Sequence, residues 1–302
     1  MWTYRGFRVL QSVMGRLPRG LAYALAIVVA RGAMMFAGRA RRRLEANLMV
    51  VCPEASPEEI RKLTWLNFRN HSKAYADLMQ LPRMRVEDMR PWLHTQGEEH
   101  LHEAMALGKG VLTVAPHMGS WEIVAAIWSA TVAPVSLFAE VLEPPEMYEW
   151  YRETRGRLGI SVLPLNNRGL RQVVEALRAN EMVVTALDRD IAGTGMEMDF
   201  FGRPTTISTG PAALSLRYGT PLLPVYVIRL PDDSYQAVGT PPLVGTPTGD
   251  KEADIRALNE KVLRRFEDFV RAHPEQWHVP HVIWPQDSAH RSLPAPARTS
   301  AS

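Results

Sequence analysis

The stretch VLTVAPHMGSWE, residues 111–122, is where a helical chain turns into an alternating one. Val111 to Ala115 is a short apolar run, the length of a strand buried on both faces. Pro116 and Gly119 break the run, and Ser120 stands at an N-cap position, which predicts a helix over 120–130. The unit then recurs. Strands are expected over 134–139, 160–163 and 182–187, with helices over 145–158, 169–180 and 210–218. Strands over 222–230 and 235–238 and a long amphipathic helix over 251–272 complete the pattern. Repeated βα units predict an α/β fold, a mostly parallel central sheet flanked by helices. Sites in such sheets form outside the carboxyl ends of the strands.

Upstream of this stretch the chain reads as helix. The first helical region runs to Val51, and Pro53 ends it. Ser56-Pro57-Glu58-Glu59 is a strong start signal, with N-cap, proline and first-turn acids in order. Ile60, Leu63, Leu66, Phe68, Leu78 and Met79 give that helix an apolar face as far as Leu81. A short helix is expected over 98–107. With 302 residues, 46% hydrophobic and 22% charged, the chain can bury a sizeable core; a disordered or collagen-like chain is excluded. The single cysteine, Cys52, excludes a disulfide scaffold and implies a reducing compartment.

Charge is unevenly distributed. Residues 1–44 hold nine arginines and no Asp, Glu or Lys, so a chain of net charge +3 carries −6 beyond that segment. Such asymmetry points to a polyanionic partner. The arginines flank apolar sequence: the eighteen residues 21–38 are interrupted by one charge, Arg31. A span needs about 20 apolar residues, and a charge near its middle is costly in lipid. The segment therefore reads as a membrane-associated helix on an anionic lipid surface, and its removal (residues 1–43) is expected to release the protein. No nucleic-acid motif appears, so no nucleic-acid partner is expected.

Chemistry is expected at strand ends. His117, a glycine turn, Ser120 and Glu122 form a compact acid–base unit. If His117 lies on the loop before the helix, Glu122 can accept from one imidazole nitrogen while the other takes a proton. Asp188-Arg189-Asp190 follows the strand over 182–187, with Glu197 and Asp199 beyond a glycine-rich stretch. There is no GxSxG elbow, phosphate loop or HExxH helix. His100 and His102 point to different sides of a helix, so no metal is expected there. Trp277 and Trp284 read as packing residues.

The run from His117 through Glu122 resembles the His-x4-Asp signature of glycerolipid acyltransferases, with Glu as a variant. LDRD at 187–190, FFGRP at 200–204, TGPAA at 209–213 and PEQW at 274–277 are more specific. They resemble the bacterial late acyltransferases of lipid A biosynthesis and relatives that acylate phosphatidylinositol mannosides. The chain departs from that pattern at Trp277-His278-Val279, where the family often has two aromatics, and its N-terminal segment falls short of a full span.

The resemblance implies acyl transfer from acyl-CoA or acyl carrier protein to a hydroxyl of a membrane glycolipid or lysolipid. It implies a glycerolipid acyltransferase-like sheet at the cytoplasmic face of the bacterial inner membrane, with no cofactor. His117 maps to the base and Glu122 to its partner; Glu140, Arg155, Asp188, Arg189, Asp190 and Glu197 map to substrate-binding positions. Amides over 119–121 are candidate donors to the oxyanion. The expected divisions are membrane-docking helices over 1–50, the acyltransferase domain over 51–285 and a flexible tail over 286–302. An acyl-thioester hydrolase or a non-catalytic lipid-binding protein on the same fold are the alternatives.

Overall fold

The computed structural model describes residues 2–191 and 193–284; the tail expected over 286–302 lies outside the described residues. The strands are β1 (Leu93–Gln96), β2 (Val111–Ala115), β3 (Val135–Ala139), β4 (Ile160–Pro164), β5 (Met182–Ala186), β6 (Met196–Phe200), β7 (Arg203–Ile207), β8 (Leu222–Arg229) and β9 (Tyr235–Gly239). Seven of them make one sheet in the order β1-β9-β8-β2-β5-β3-β4. Every neighbouring pair is parallel except β8 and β9, which are antiparallel. The α/β reading holds.

The helices are α1 (Trp2–Met14), α2 (Arg19–Phe36), α3 (Gly38–Val51), α4 (Pro57–Gln80), α5 (Val86–Met89), α6 (Glu98–Ala106), α7 (Trp121–Thr131), α8 (Pro145–Gly156), α9 (Asn167–Arg178), α10 (Gly210–Tyr218) and α11 (Lys251–Ala272). Ser56 starts α4 with a capping box closed by Glu59. Strand residues alternate between two apolar clusters, as a period of two requires. Leu112, Val183 and Leu222 pack with Val173 of α9 and Phe266 of α11. Val111, Met182 and Leu223 pack on the other face with Ile123 and Ile127 of α7.

Two elements carry too little apolar signal to be read in advance. β1 is an edge strand, half-exposed at Leu93 and exposed over the polar residues that follow. β6 and β7 form a separate antiparallel hairpin where the sequence reads as glycine-rich loop. Its turn residues, Phe201 and Gly202, sit at φ 54° and 69°, as a two-residue hairpin turn demands.

α2 packs along α4 through small or buried residues one turn apart: Ala22, Tyr23, Ala26 and Ala30. Tyr23 donates to Asp77 Oδ1 at 2.5 Å, and Tyr235 donates to Asp77 Oδ2 at 2.7 Å. Arg229 pairs with the same carboxylate. Arg19 reaches Tyr235 Oη at 2.9 Å, and Arg31 stacks on Trp65. The opposite face of α2 leaves Leu21, Val28, Val29, Met35 and Phe36 exposed. By length and composition this 18-residue helix could cross a membrane, yet 22% of it is buried. Removing residues 1–43 would strip Tyr23 from a buried charge network, so that deletion disturbs folding as well as any membrane contact.

Phe266 is fully buried among Leu112, Val262 and Val270. Phe266→Ala is expected to destabilise by about 3–5 kcal/mol, seen as a lower Tm and an unchanged denaturant m-value.

Candidate active site

β2 and β5 are parallel neighbours with Ala115 opposite Ala186. Two residues past each strand end stand His117 and Asp188, so the register itself brings them together. His117 Nδ1 lies 2.6 Å from Asp188 Oδ1, and the His117 backbone N–H donates to Asp188 Oδ2 at 2.8 Å. Trp277 Nε1–H donates to the same Oδ2 at 2.8 Å. Asp188 is buried, with 1% of its surface exposed. Burial alone would raise its pKa, but the charge and hydrogen bonds of His117 outweigh it and hold Asp188 below the usual carboxylate range. An ionised carboxylate only accepts, so Nδ1 carries a proton, and in the neutral imidazole the lone pair is then on Nε2.

This corrects the pairing expected from the His-x4-Glu spacing. Glu122 lies in the first turn of α7 and accepts from Arg155 Nη2 at 3.2 Å, not from His117. Burial pushes Glu122 up against the lowering effect of Arg155. Arg155, from α8, is itself buried, with Trp121 and Tyr151 rings 4.9 and 4.8 Å from its guanidinium. Its Nε has no hydrogen-bond partner among the described residues.

The loop from His117 to Ser120 is held from several sides. Gly119 adopts φ 64° and a Cβ there would lie 2.0 Å from Val227 O, so only glycine fits. Gly119 N–H donates to Gln276 O at 3.3 Å, and His278 N–H donates to His117 O at 2.9 Å. Ser120 occupies the N-cap of α7, but its hydroxyl donates to Asp77 at 2.9 Å instead of capping the helix. Of the amides expected to face an oxyanion, that of Gly119 is therefore already committed.

A cavity of ≈ 670 Å³ opens beside His117. Apolar side chains such as Leu78, Leu137, Phe138, Leu170, Val173 and Leu214 line it. His117, Glu122, Glu140, Arg155 and Arg189 are among its polar lining residues. Glu140 follows β3 at the same sheet edge. Neither Glu140 nor Arg189 makes a side-chain hydrogen bond or ion pair among the described residues. Two expected residues stand elsewhere. Asp190 accepts from the amides of Gly193 and Gly195 at 3.0 and 2.9 Å, closing a turn. Glu197 points outward from β6 because Met198 and Phe200 take the buried face of the alternation.

The sequence model of the bacterial lipid A biosynthesis acyltransferases matches residues 2–285 of the chain. The chain belongs to that family. Similar relatives include phosphatidylinositol mannoside acyltransferase of Mycobacterium tuberculosis, 30% identical over 82% of this chain and 77% of that protein. The enzyme of that name in Mycolicibacterium smegmatis is 28% identical over 90% and 89%. Lipid A biosynthesis lauroyltransferase of Escherichia coli is 26% identical over 91% and 88%. The protein is thus an acyltransferase of the lipid A and phosphatidylinositol mannoside type.

Several contributors to this acyltransferase site escape sequence reading. Trp277 packs as expected but also donates to Asp188. His71 lines the cavity, and its ring stacks on His278 with centroids 3.3 Å apart. His278 Nδ1–H donates to Asn67 Oδ1 at 2.5 Å, and Asn67 donates to Trp277 O at 2.8 Å. The available signal was Asn67, His71 and Tyr75 at four-residue spacing on one face of α4.

Burial, and secondarily the charge of His117, push His71 down to about 3. Burial does the same to His278, with His71 adding to it. Between pH 6.5 and about 3 the unfolded chain therefore binds protons that the folded chain refuses, and stability falls as pH falls. Thermal melts at pH 7 and pH 5 are expected to show this loss, and His71→Phe is expected to shrink it.

Proposed function

We propose that the protein transfers a fatty acyl chain from a thioester, acyl-CoA or acyl carrier protein, to a hydroxyl of a membrane glycolipid or lysolipid. The observation that carries this reading is one juxtaposition. An imidazole held through Nδ1 by buried Asp188 lines a largely apolar cavity, and this reading puts its Nε2 on the cavity side. A thioester needs no further activation than a well-placed acceptor oxygen and a base. The acceptor O–H attacks the thioester carbonyl carbon as His117 Nε2 takes its proton. The new C–O bond forms, the C–S bond breaks, and the imidazolium returns the proton to the departing sulfur.

Charge develops on the carbonyl oxygen during attack. With Gly119 committed, the amides of Ser120 and Trp121 at the start of α7 are the donors this reading uses. Arg155, with an unpartnered Nε beside Glu122, and Arg189 are assigned to phosphate or headgroup oxygens. Glu140 is assigned to a sugar or glycerol hydroxyl. Each acyl methylene buried in the cavity contributes about 0.8 kcal/mol. The names of the relatives make phosphatidylinositol mannosides and lipid A precursors the first acceptors to try.

The reading also places the enzyme on the inner-membrane surface, at the cytoplasmic face where such donors occur. The exposed side of α2 and the arginines of residues 1–44 support it. One side of α2 lies on α4, which favours lying on the membrane over crossing it. Met35 and Phe36 are 73% and 85% exposed. The double variant Met35→Glu/Phe36→Glu is expected to shift the protein into the soluble fraction with its Tm unchanged.

The activity test incubates wild type, His117→Ala and Asp188→Asn with labelled palmitoyl-CoA and a total bacterial lipid extract, with products read by mass spectrometry. A labelled glycolipid or lysolipid product is expected from wild type, reduced by about 10² to 10⁴-fold in His117→Ala. Asp188→Asn is expected to fall nearly as far. Label only in free fatty acid would mark a hydrolase. Label retained without turnover by any protein would mark a lipid-binding role.

A further inference from the structure

A second pocket, of ≈ 300 Å³, lies between α1, the turn Leu81–Arg83 and α8. It sits on a different face of α8 from the cavity. Trp150, Glu153, Thr154 and Arg157 line it, whereas Tyr151 and Arg155 face the cavity. Arg8 of α1 and Arg83 complete a set of three guanidiniums. None of the three has a side-chain hydrogen bond or ion pair among the described residues. Against the single carboxylate of Glu153 they leave a net of two positive charges.

The buried side of the pocket is also donor-rich. Thr154 and Trp150 line that side, and neither the Thr154 hydroxyl nor the Trp150 indole N–H has a partner among the described residues. Ser12 lines the pocket and accepts from Arg16, which leaves its own proton free to donate. Three unpaired arginines with these hydroxyl and indole donors on the wall between them make a socket for a tetrahedral oxyanion.

We propose that this pocket holds the phosphate of an anionic phospholipid headgroup. The helix that forms it argues for that source. Around α1, Phe7, Gln11 and Met14 face the protein: Phe7 packs edge-on to Trp150 at 4.7 Å and Gln11 bonds Met79 O. Arg8 and Ser12 come next around the helix, and Val9, Leu10 and Val13 form an exposed apolar ridge beyond them. A helix so arranged sinks its ridge among acyl chains and keeps its arginines at phosphate depth. A pocket of this size takes a headgroup and leaves the chains outside. The proposal rests on the reading that the enzyme works at a membrane surface.

The test uses the full chain and vesicles of phosphatidylcholine with or without phosphatidylglycerol, read by co-sedimentation. Arg83→Gln/Arg157→Gln changes the socket without touching α1. Arg171→Gln/Arg178→Gln removes the same charge from exposed positions of α9. Wild type is expected to prefer phosphatidylglycerol. The socket variant is expected to lose on the order of tenfold in affinity, with KM for palmitoyl-CoA unchanged, and the α9 variant to lose little. Equal losses in both variants, or none, would overturn the discrete site in favour of general charge. A raised KM without a vesicle effect would assign the pocket to the donor and overturn the lipid. Calorimetry with glycerol 3-phosphate separates the two readings. Binding that needs Arg83 and Arg157, from a protein indifferent to both vesicles, would overturn the membrane reading and assign the socket to a soluble phosphate ester. No binding of either kind would overturn the proposal itself.

Discussion

Three N–H groups converge on one buried carboxylate: the amide of His117, its Nδ1–H and the indole of Trp277, all on Asp188. An unpaired charge at that depth would cost several kcal/mol, so the three donors are a condition of folding as well as of chemistry. Each comes from an element placed by something else. His117 is fixed by the β2–β5 register, and Trp277 by the turn Pro274–Gln276, whose carbonyls and amides also grip Gly119 and Arg229. Once Asp188 is ionised and buried, the tautomer of His117 has no freedom left. The lone pair points away from the carboxylate.

A second buried carboxylate anchors the other end of the same loop. Asp77 of α4 accepts from Ser120, Tyr23 and Tyr235 and pairs with Arg229. Through Tyr23 and Arg19 this network begins on α2, the helix with an exposed apolar side. The loop from His117 to Ser120 is therefore held between a carboxylate at the sheet edge and one in the helical layer. The N-terminal helices belong to the same packed body as the sheet, which is why they cannot be cut away cleanly.

Much of this was legible in the residues. Strand-length apolar runs followed by glycine gave the sheet, and charged residues directly after two of those runs marked the edge where the cavity opens. The partner of His117 was not legible. Spacing along the chain offered Glu122, but the nearer carboxylate stands just past β5, and adjacency of β2 and β5 is a property of strand order that no local pattern encodes. Trp277 reads as packing because its bonding partner stands 89 residues earlier. His71 hides in the apolar face of α4 for the same reason. β1 and the β6–β7 hairpin escape because edge and surface strands need little apolar signal.

The central claim is that Asp188, and not Glu122, fixes the proton of His117 on Nδ1. Nitrogen-15 NMR of histidine-labelled enzyme near neutral pH tests it directly. The account predicts a strongly downfield Nδ1–H resonance for His117, lost in Asp188→Asn and kept in Glu122→Gln, with Nε2 unprotonated in the neutral form of the ring. Loss of that resonance in Glu122→Gln with retention in Asp188→Asn, or a neutral imidazole with its proton on Nε2 and none on Nδ1 in the wild type, would contradict it.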